Sequence, residues 1–445
     1  MEYPLRVGIL PIILAFLSIV ESSSTRRVLV FGGNGFIGSE VVSRLIKQGD
    51  DITIVNRGNW YFDSKERIKP YTSTHYRCDR DKALHLECPE LLTSGFYDIV
   101  LDFSSYTSLQ IKQVLETFKE RVGLYIYISS DSVYEVCDKK HKGPSREEDA
   151  VRPKSPKKRL KLKKSEEYGH EKLACEEALR AQRKAGGFPY VVLRLPDVVG
   201  PRDGSFRFWT YQLWVQTHKA IEHPVHLPQG VSNRPFSLVH VEDVANAVEK
   251  ILEIGNKAYD QAINLAFEEH FTLKDLLESI GREVRVTDIT WLTDEETAWH
   301  TYPTVMQGPL DINRAKTLLD WKPMAWADSL ASLTKYYEEA MTSKHLREEK
   351  EMVLADFMEY HVPEEKSEVF LRALSNIYGE EVFDGINLDL GFADDSLALE
   401  RRVDIGNDTT TDNKKEPKSE KTEEDAEKKD EDIRETNDGK LSDEL

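Results

Sequence analysis

Short apolar runs recur along the first 200 positions, separated by stretches whose apolar residues fall three and four apart. Val28–Phe31 is one such run. After a glycine-rich turn the pattern turns helical to about Gln48, then apolar again over Ile52–Asn56. This is the layout of a β-α-β unit. Further strands are predicted at His75–Cys78, in YDIVLDFSS from Tyr97, in GLYIYISS from Gly123 and in YVVLRLP from Tyr190. SLQIKQVLETFKERV, from Ser108, supplies a helix between the fourth and fifth. Near-continuous apolar strands alternating with amphipathic helices predict an α/β fold, a parallel sheet covered on both faces. Lys139–Glu167 breaks the rhythm. Polar, basic and punctuated by proline, it reads as one long loop. Beyond Pro196 the pattern is irregular. It recovers in FSLVHVEDVANAVEKILEI from Phe236, in the short strand AINLA from Ala262, and in the helices TLKDLLESIG and NRAKTLLDW. Residues 341–400 begin helically and add no recognisable chemistry.

Composition changes this picture mainly at the two ends. A chain of 445 residues has room for one large domain or two medium ones with appendages, and a net charge of -19 argues against general polyanion binding. From Asp408 to Glu444 there are fifteen acids, eight bases and no aromatic residue. Such a stretch buries too little apolar surface to offset its ordering entropy, so a disordered acidic tail is predicted over 401–445. At the other end Arg6 precedes VGILPIILAFLSIV, followed by ESSSTRR. That run is short for a bilayer span and suits the core of a signal peptide over 1–24, with small residues at Ser22–Ser24 for cleavage; a buried strand or a short membrane anchor is the alternative. Ser442-Asp443-Glu444-Leu445 resembles an endoplasmic-reticulum retrieval signal, and Asn407-Asp408-Thr409 is a glycosylation sequon. Together they predict a glycoprotein of the endoplasmic-reticulum lumen, with the retrieval receptor as a partner and no stable membrane span. Of four cysteines (Cys78, Cys88, Cys137, Cys175), none forms a C-x-x-C. In an oxidising compartment Cys78 and Cys88 could pair; four partly buried thiols are the alternative.

Candidate chemistry begins with Gly32-Gly33-Asn34-Gly35-Phe36-Ile37-Gly38, which follows a strand directly and opens a helix. Glycine lets the backbone turn tightly and approach a pyrophosphate, while the helix start directs free N–H groups at the phosphates. Gly32, Gly35, Phe36, Ile37 and Gly38 are therefore assigned to a dinucleotide site. The second strand ends in Asn56-Arg57. An acid there would hold the ribose hydroxyls of NAD; an arginine can accommodate the 2′-phosphate of NADP, so NADP is slightly favoured over NAD. Two Tyr-x-x-x-Lys pairs, Tyr61/Lys65 and Tyr168/Lys172, place a phenol one helical turn from an ammonium.

In chain order, VFGGNGFIG, Asp79, ISSDSVY, YGHEK, LRLPDVVGPRD and FSLVHVEDVANAV are similar to motifs of the extended short-chain dehydrogenase/reductase family, which includes NAD-dependent epimerases and dehydratases. The resemblance covers roughly residues 26–340. It implies a Rossmann-type doubly wound core over 25–195, completed by about 238–265, with a smaller substrate lobe mainly in 196–340 and a helical extension over 341–400. It also implies that Asp79 lies near adenine, that Ser130 hydrogen-bonds the reacting oxygen, and that Tyr168, following the serine strand, is the base while Tyr61 is a chance copy. A free phenol, with pKa near 10, is a poor base at neutral pH. Lys172 and a cationic oxidised nicotinamide would favour the phenolate. The expected activity is hydride-transfer chemistry on a hydroxyl or carbonyl of a small molecule such as a sugar or nucleotide sugar, in a chain that could be a homodimer.

Four features depart from the family pattern. The fourth strand ends in DFSSY, from Asp102, where the family usually has a small apolar pair. Phe236 stands where sugar-nucleotide enzymes often have arginine, with Arg234 nearby. Asp197 stands where they often have asparagine, and Ser132 follows Asp131 where dehydratases have glutamate. The basic run Arg152–Lys164, with eight lysines and arginines and no acid, reads first as a solvated insertion; it could also cradle an anion or bind RNA, and it resembles a nuclear localisation signal. It offers no aromatic platform for stacking bases, so a non-catalytic RNA-binding role is the rival reading and nucleic acid is not the expected partner. His240, Glu242 and Asp243 are expected to cap a helix rather than bind metal.

Overall fold

The computed structural model describes residues 25–294 and 299–386. The expectations placed on 1–24 and 387–445 (signal, sequon, tail, retrieval motif) lie outside the described residues.

Six strands form where the apolar runs predict them: β1 (Arg27–Phe31), β2 (Asp51–Asn56), β3 (Thr74–Arg77), β4 (Tyr97–Asp102), β5 (Val122–Ser130) and β6 (Tyr190–Leu195). They join a seventh from the AINLA segment, β9 (Gln261–Asn264), in one parallel sheet of order β9-β6-β5-β4-β1-β2-β3. The register of β1 pairs Val28 with Ile52 on one side and with Ile99 on the other. Chain direction across the sheet reverses between β1 and β4. There the helices on either side diverge and leave a crevice at the strands' carboxyl ends.

The two-residue alternation of strands assigns each side chain to a layer. Val28 and Val30 pack with helices α1 (Phe36–Lys47) and α6 (Val241–Ile254), whereas Leu29 and Phe31 face the opposite layer under α2 (Ser108–Phe118) and α4 (Glu167–Lys184). Each fully buried Val, Leu or Ile stabilises the fold by about 1.5–3 kcal/mol relative to exposure. Beyond β6, a short parallel pair of β7 (Asp197–Val199) and β8 (Leu238–His240) leads into a lobe with a different core. There α5 (Arg207–Thr217) is buried nearly all round, presenting Trp209, Tyr211 and Trp214. Around it pack α7 (Trp326–Thr342), α8 (Arg347–His361) and α9 (Ser367–Tyr378), so the helices after residue 341 share one hydrophobic core with the lobe.

One predicted loop is partly helical. Within Lys139–Glu167, α3 (Pro156–Ser165) carries most of the basic run. Ser155 accepts a hydrogen bond from the Lys158 amide at 3.3 Å and Pro156 occupies the first helical turn. The Lys, Arg and Leu residues that follow are good helix formers, and cap plus propensity outweigh the polar composition.

Candidate active site

The predicted nucleotide residues gather at the carboxyl edge of the sheet. Gly32 has φ +78°, and a side chain there would crowd Ser104 and Phe103 after β4. A Cβ on Gly38 would overlap the Gly32 carbonyl, so α1 can sit on this turn only without one. Gly35 caps α1, and Phe36 and Ile37 open it with half-buried side chains. Asn56 is buried at the end of β2. Its Oδ1 accepts from the Gly58 amide (2.7 Å) and meets His75 Nε2 (2.8 Å), while its amide nitrogen has no protein partner. Arg57 is half-buried beside it, its carbonyl accepting from Arg77 Nε at 2.9 Å. Asp79 turns back on its own loop, accepting from the Asp81 amide at 3.1 Å and pairing with Lys82 at 3.8 Å. A glycine cradle that side chains would fill, beside a buried amide lacking a partner, fits a dinucleotide.

Ser130 closes β5. Its hydroxyl lies 3.3 Å from Asp131 Oδ1 and 3.2 Å from Ser132 Oγ, and accepts from the Ser132 amide. Burial, with Asp197 and Glu135 nearby, pushes the Asp131 carboxyl well above its usual range. From the neighbouring helix α4, Lys172 reaches inward and is only 3 % exposed. Its ammonium donates to the Ser105 carbonyl (3.1 Å) and the Ile128 carbonyl (3.0 Å), and lies 5.6 Å from the centre of the Tyr168 ring. Tyr168 itself is half-buried, with Tyr106 across from it. Gly169 makes this convergence possible, since a Cβ there would collide with the Ser132 carbonyl. The sequence held that signal inside YGHEK, but only the packing of α4 on the segment after β5 exposes it. Tyr61 precedes a four-residue helix on which Lys65 is exposed, away from β5 and α4 in the chain.

Facing this edge from the lobe, Asp197 accepts from Arg207 Nη1 (2.5 Å) and Thr304 Oγ1 (2.9 Å). Phe236 is buried and stacks on Tyr302; Arg234 contacts the Met306 sulfur. His240 caps α6 through Nδ1, accepting from the Glu242 amide at 3.3 Å, and burial lowers its pKa to about 4, which keeps it a neutral acceptor. Among the described residues no group of His, Cys, Asp and Glu is arranged to hold a metal, and no helix is long and apolar enough to cross a membrane. Cys78 and Cys88 form a disulfide with Cα atoms 5.9 Å apart, whereas Cys137 and Cys175 are buried thiols.

Known proteins share this fold. The chain is 25% identical over 270 residues to the chloroplast stem-loop binding protein of 41 kDa b from Arabidopsis thaliana, a match covering 59% of this chain and 64% of that one. Among solved structures, UDP-glucose 4-epimerase from Thermotoga maritima with UDP-glucose superposes with a TM-score of 0.55 at 20% identity, over 71% of this chain and 99% of that one. dTDP-glucose 4,6-dehydratase from Bacillus anthracis, in complex with NAD, gives 0.55 at 18% identity, over 71% and 97%. Residues 28–266, more than half of the chain, match one family description, and the protein belongs to the NAD dependent epimerase/dehydratase family.

Proposed function

We propose that this chain is an NAD(P)-dependent oxidoreductase or epimerase acting at a hydroxyl-bearing carbon of a sugar or sugar nucleotide. The observation that carries the reading is the buried Lys172 ammonium, fixed by two backbone carbonyls beneath the Tyr168 ring and beside the strand that ends in Ser130. In this reading the Tyr168 oxygen accepts the substrate hydroxyl proton. The Lys172 charge favours the phenolate, and the Ser130 hydroxyl donates to the reacting oxygen. A bound nicotinamide supplies the acceptance and return of hydride at carbon. The structural relatives named with UDP-glucose and with NAD support the substrate class and the cofactor type. Arg57 supports a preference for NADPH over NADH. Fluorescence titration of the purified protein with both should give tighter binding of NADPH; equal affinities remove the role of Arg57, and binding of neither overturns the reading.

A non-catalytic, stem-loop-binding role is favoured by one observation, the exposed basic helix α3, together with the name of the plant relative. Retention of full RNA affinity after Tyr168→Phe, with no turnover by the parent on any sugar nucleotide, would decide for it. For the compartment, we propose the endoplasmic-reticulum lumen, supported by the Cys78–Cys88 disulfide, the apolar run before residue 21 and the Asn407 sequon. A tag added after Leu445 should then cause secretion, and a tagged protein that stays in the cell with its N-terminal run intact counts against it.

A further inference from the structure

Lys172 is held in part by Ser105, the last residue of the YDIVLDFSS segment. Its carbonyl receives the Lys172 ammonium (3.1 Å) and the Tyr127 hydroxyl (3.0 Å). Its other polar groups are fixed from behind. The Ser105 amide and hydroxyl both donate to Asp102, at 2.8 and 2.5 Å, and Asp102 also accepts from the Ser104 amide and the Tyr125 hydroxyl. Arg80, from the loop after β3, completes the cluster. Its Nη2 donates to Ser105 Oγ at 2.7 Å, its guanidinium lies within 3.4 Å of Asp102, and it stacks over Phe31 at 4.1 Å. Asp102 is fully buried and Arg80 is 7 % exposed.

A buried ion pair is a poor source of stability, because desolvation offsets its attraction and a well-packed apolar pair often does as well. Such a pair does fix geometry, since any shift of either partner strands a charge in a dry place. Here the geometry it fixes is the peptide that carries the Ser105 carbonyl, one of the two oxygens that aim Lys172. The chain reaches the same peptide from two strands: Asp102 at the end of β4 and Arg80 after β3.

We infer that Asp102 and Arg80, acting through Ser105, are positioning residues for Lys172, coupling the loop after β3 to the ammonium beneath Tyr168. This rests on the reading of Tyr168 and Lys172 as catalytic, and the test separates the two. In the full-length protein, the ultraviolet absorbance of tyrosinate is titrated in the parent and in Tyr168→Phe, and the difference assigns the Tyr168 phenol. Ser105→Ala removes only the hydroxyl that Asp102 and Arg80 hold. It should move that titration to higher pH by about one unit and lower turnover of UDP-glucose about tenfold, while NADH affinity stays at the parental value. Ser105→Thr, which keeps the hydroxyl, should restore both. Asp102→Asn should lower turnover about a hundredfold, the loss expected when a reacting group is misplaced by an ångström. If that variant fails to fold, Ser105→Ala still decides. A parental Tyr168 titration that Ser105→Ala leaves unmoved overturns the coupling alone, even if thermal stability falls. A parent with no Tyr168-dependent titration overturns the catalytic reading, and the coupling with it.

Discussion

Around the sheet, buried polar side-chain atoms nearly all have partners; in the lobe many do not. Of thirteen such atoms without a protein partner among the described residues, ten lie in the lobe, including Asp203 Oδ2, the Tyr302 hydroxyl, Trp209 Nε1 and ring nitrogens of His223, His226 and His361. The two cores differ in kind as well. One is built from Val, Leu and Ile in alternating register, the other from Trp, Tyr, Phe and His around α5. An unpaired buried polar atom costs about 1–3 kcal/mol. Polar groups around the sheet are thus paired more completely within the protein than those of the lobe, which predicts that the lobe is the less stable half.

The sharpest way to break this contrast is at the junction. Tyr168→Phe removes one oxygen and should lower turnover by a factor of about 10²–10⁴, with NADH affinity unchanged; parental turnover would mean that the chemistry does not pass through the sheet edge. Next comes the lobe itself. Trp214 is fully buried, stacks on the His223 ring, packs edge-on against His226 and at a tilt against His361, and donates to the His223 carbonyl at 3.2 Å. Trp214→Ala should cost about 3–5 kcal/mol by chemical denaturation. If the halves differ as argued, NADH binding survives to higher denaturant than the tryptophan signal; coincident loss of both would erase the distinction.

Acid should act on the same side. Burial lowers the pKa of His226 to about 4 and of His361 to about 3, each lowered further by neighbouring histidines. Because these folded values lie below the ordinary 6.5, the penalty is absent above pH 6.5. It grows as pH falls toward the folded values, by up to about 1.4 kcal/mol per unit and per histidine. Melting temperatures measured between pH 7 and pH 5 should fall, and His361→Phe should flatten that fall; an unchanged slope would show that the cluster is already hydrated. The smallest effect is expected from Tyr61→Phe, within about 0.5 kcal/mol by the same denaturation, with parental turnover. A large loss there would revive the first Tyr-x-x-x-Lys pair.

The sheet was legible because its information is local. Strands such as Val28–Phe31 and Tyr190–Leu195 declare themselves by apolar runs, and the glycine turn declares its neighbours on both sides. Tyr168 and Ser130 could be chosen by their order along the chain. Asp102 and Arg80 could not. They sit 22 positions apart, and only the placement of β4 beside β1 brings the loop after β3 within reach. The helix over Pro156–Ser165 was hidden by a composition that resembles disorder, although Ser155-Pro156 is a legitimate start. The lobe's aromatic core was hidden for a different reason: α5 is buried on all sides, so it lacks the polar face that reveals an amphipathic helix.

The disulfide has a practical corollary for anyone producing the protein. Cys78 immediately follows β3, and Cys88 lies ten positions on, so the bridge closes a small ring that contains both Asp79 and Arg80. Losing a ring of that size releases about 3 kcal/mol of chain entropy to the unfolded state. Material made in a reducing bacterial cytoplasm would carry two thiols instead, and its Arg80 would keep its ion pair and hydrogen bonds but lose the covalent ring around it. Assays on such material would understate an enzyme whose defect lay in the host's redox chemistry, so the thiol content of each preparation belongs beside its activity.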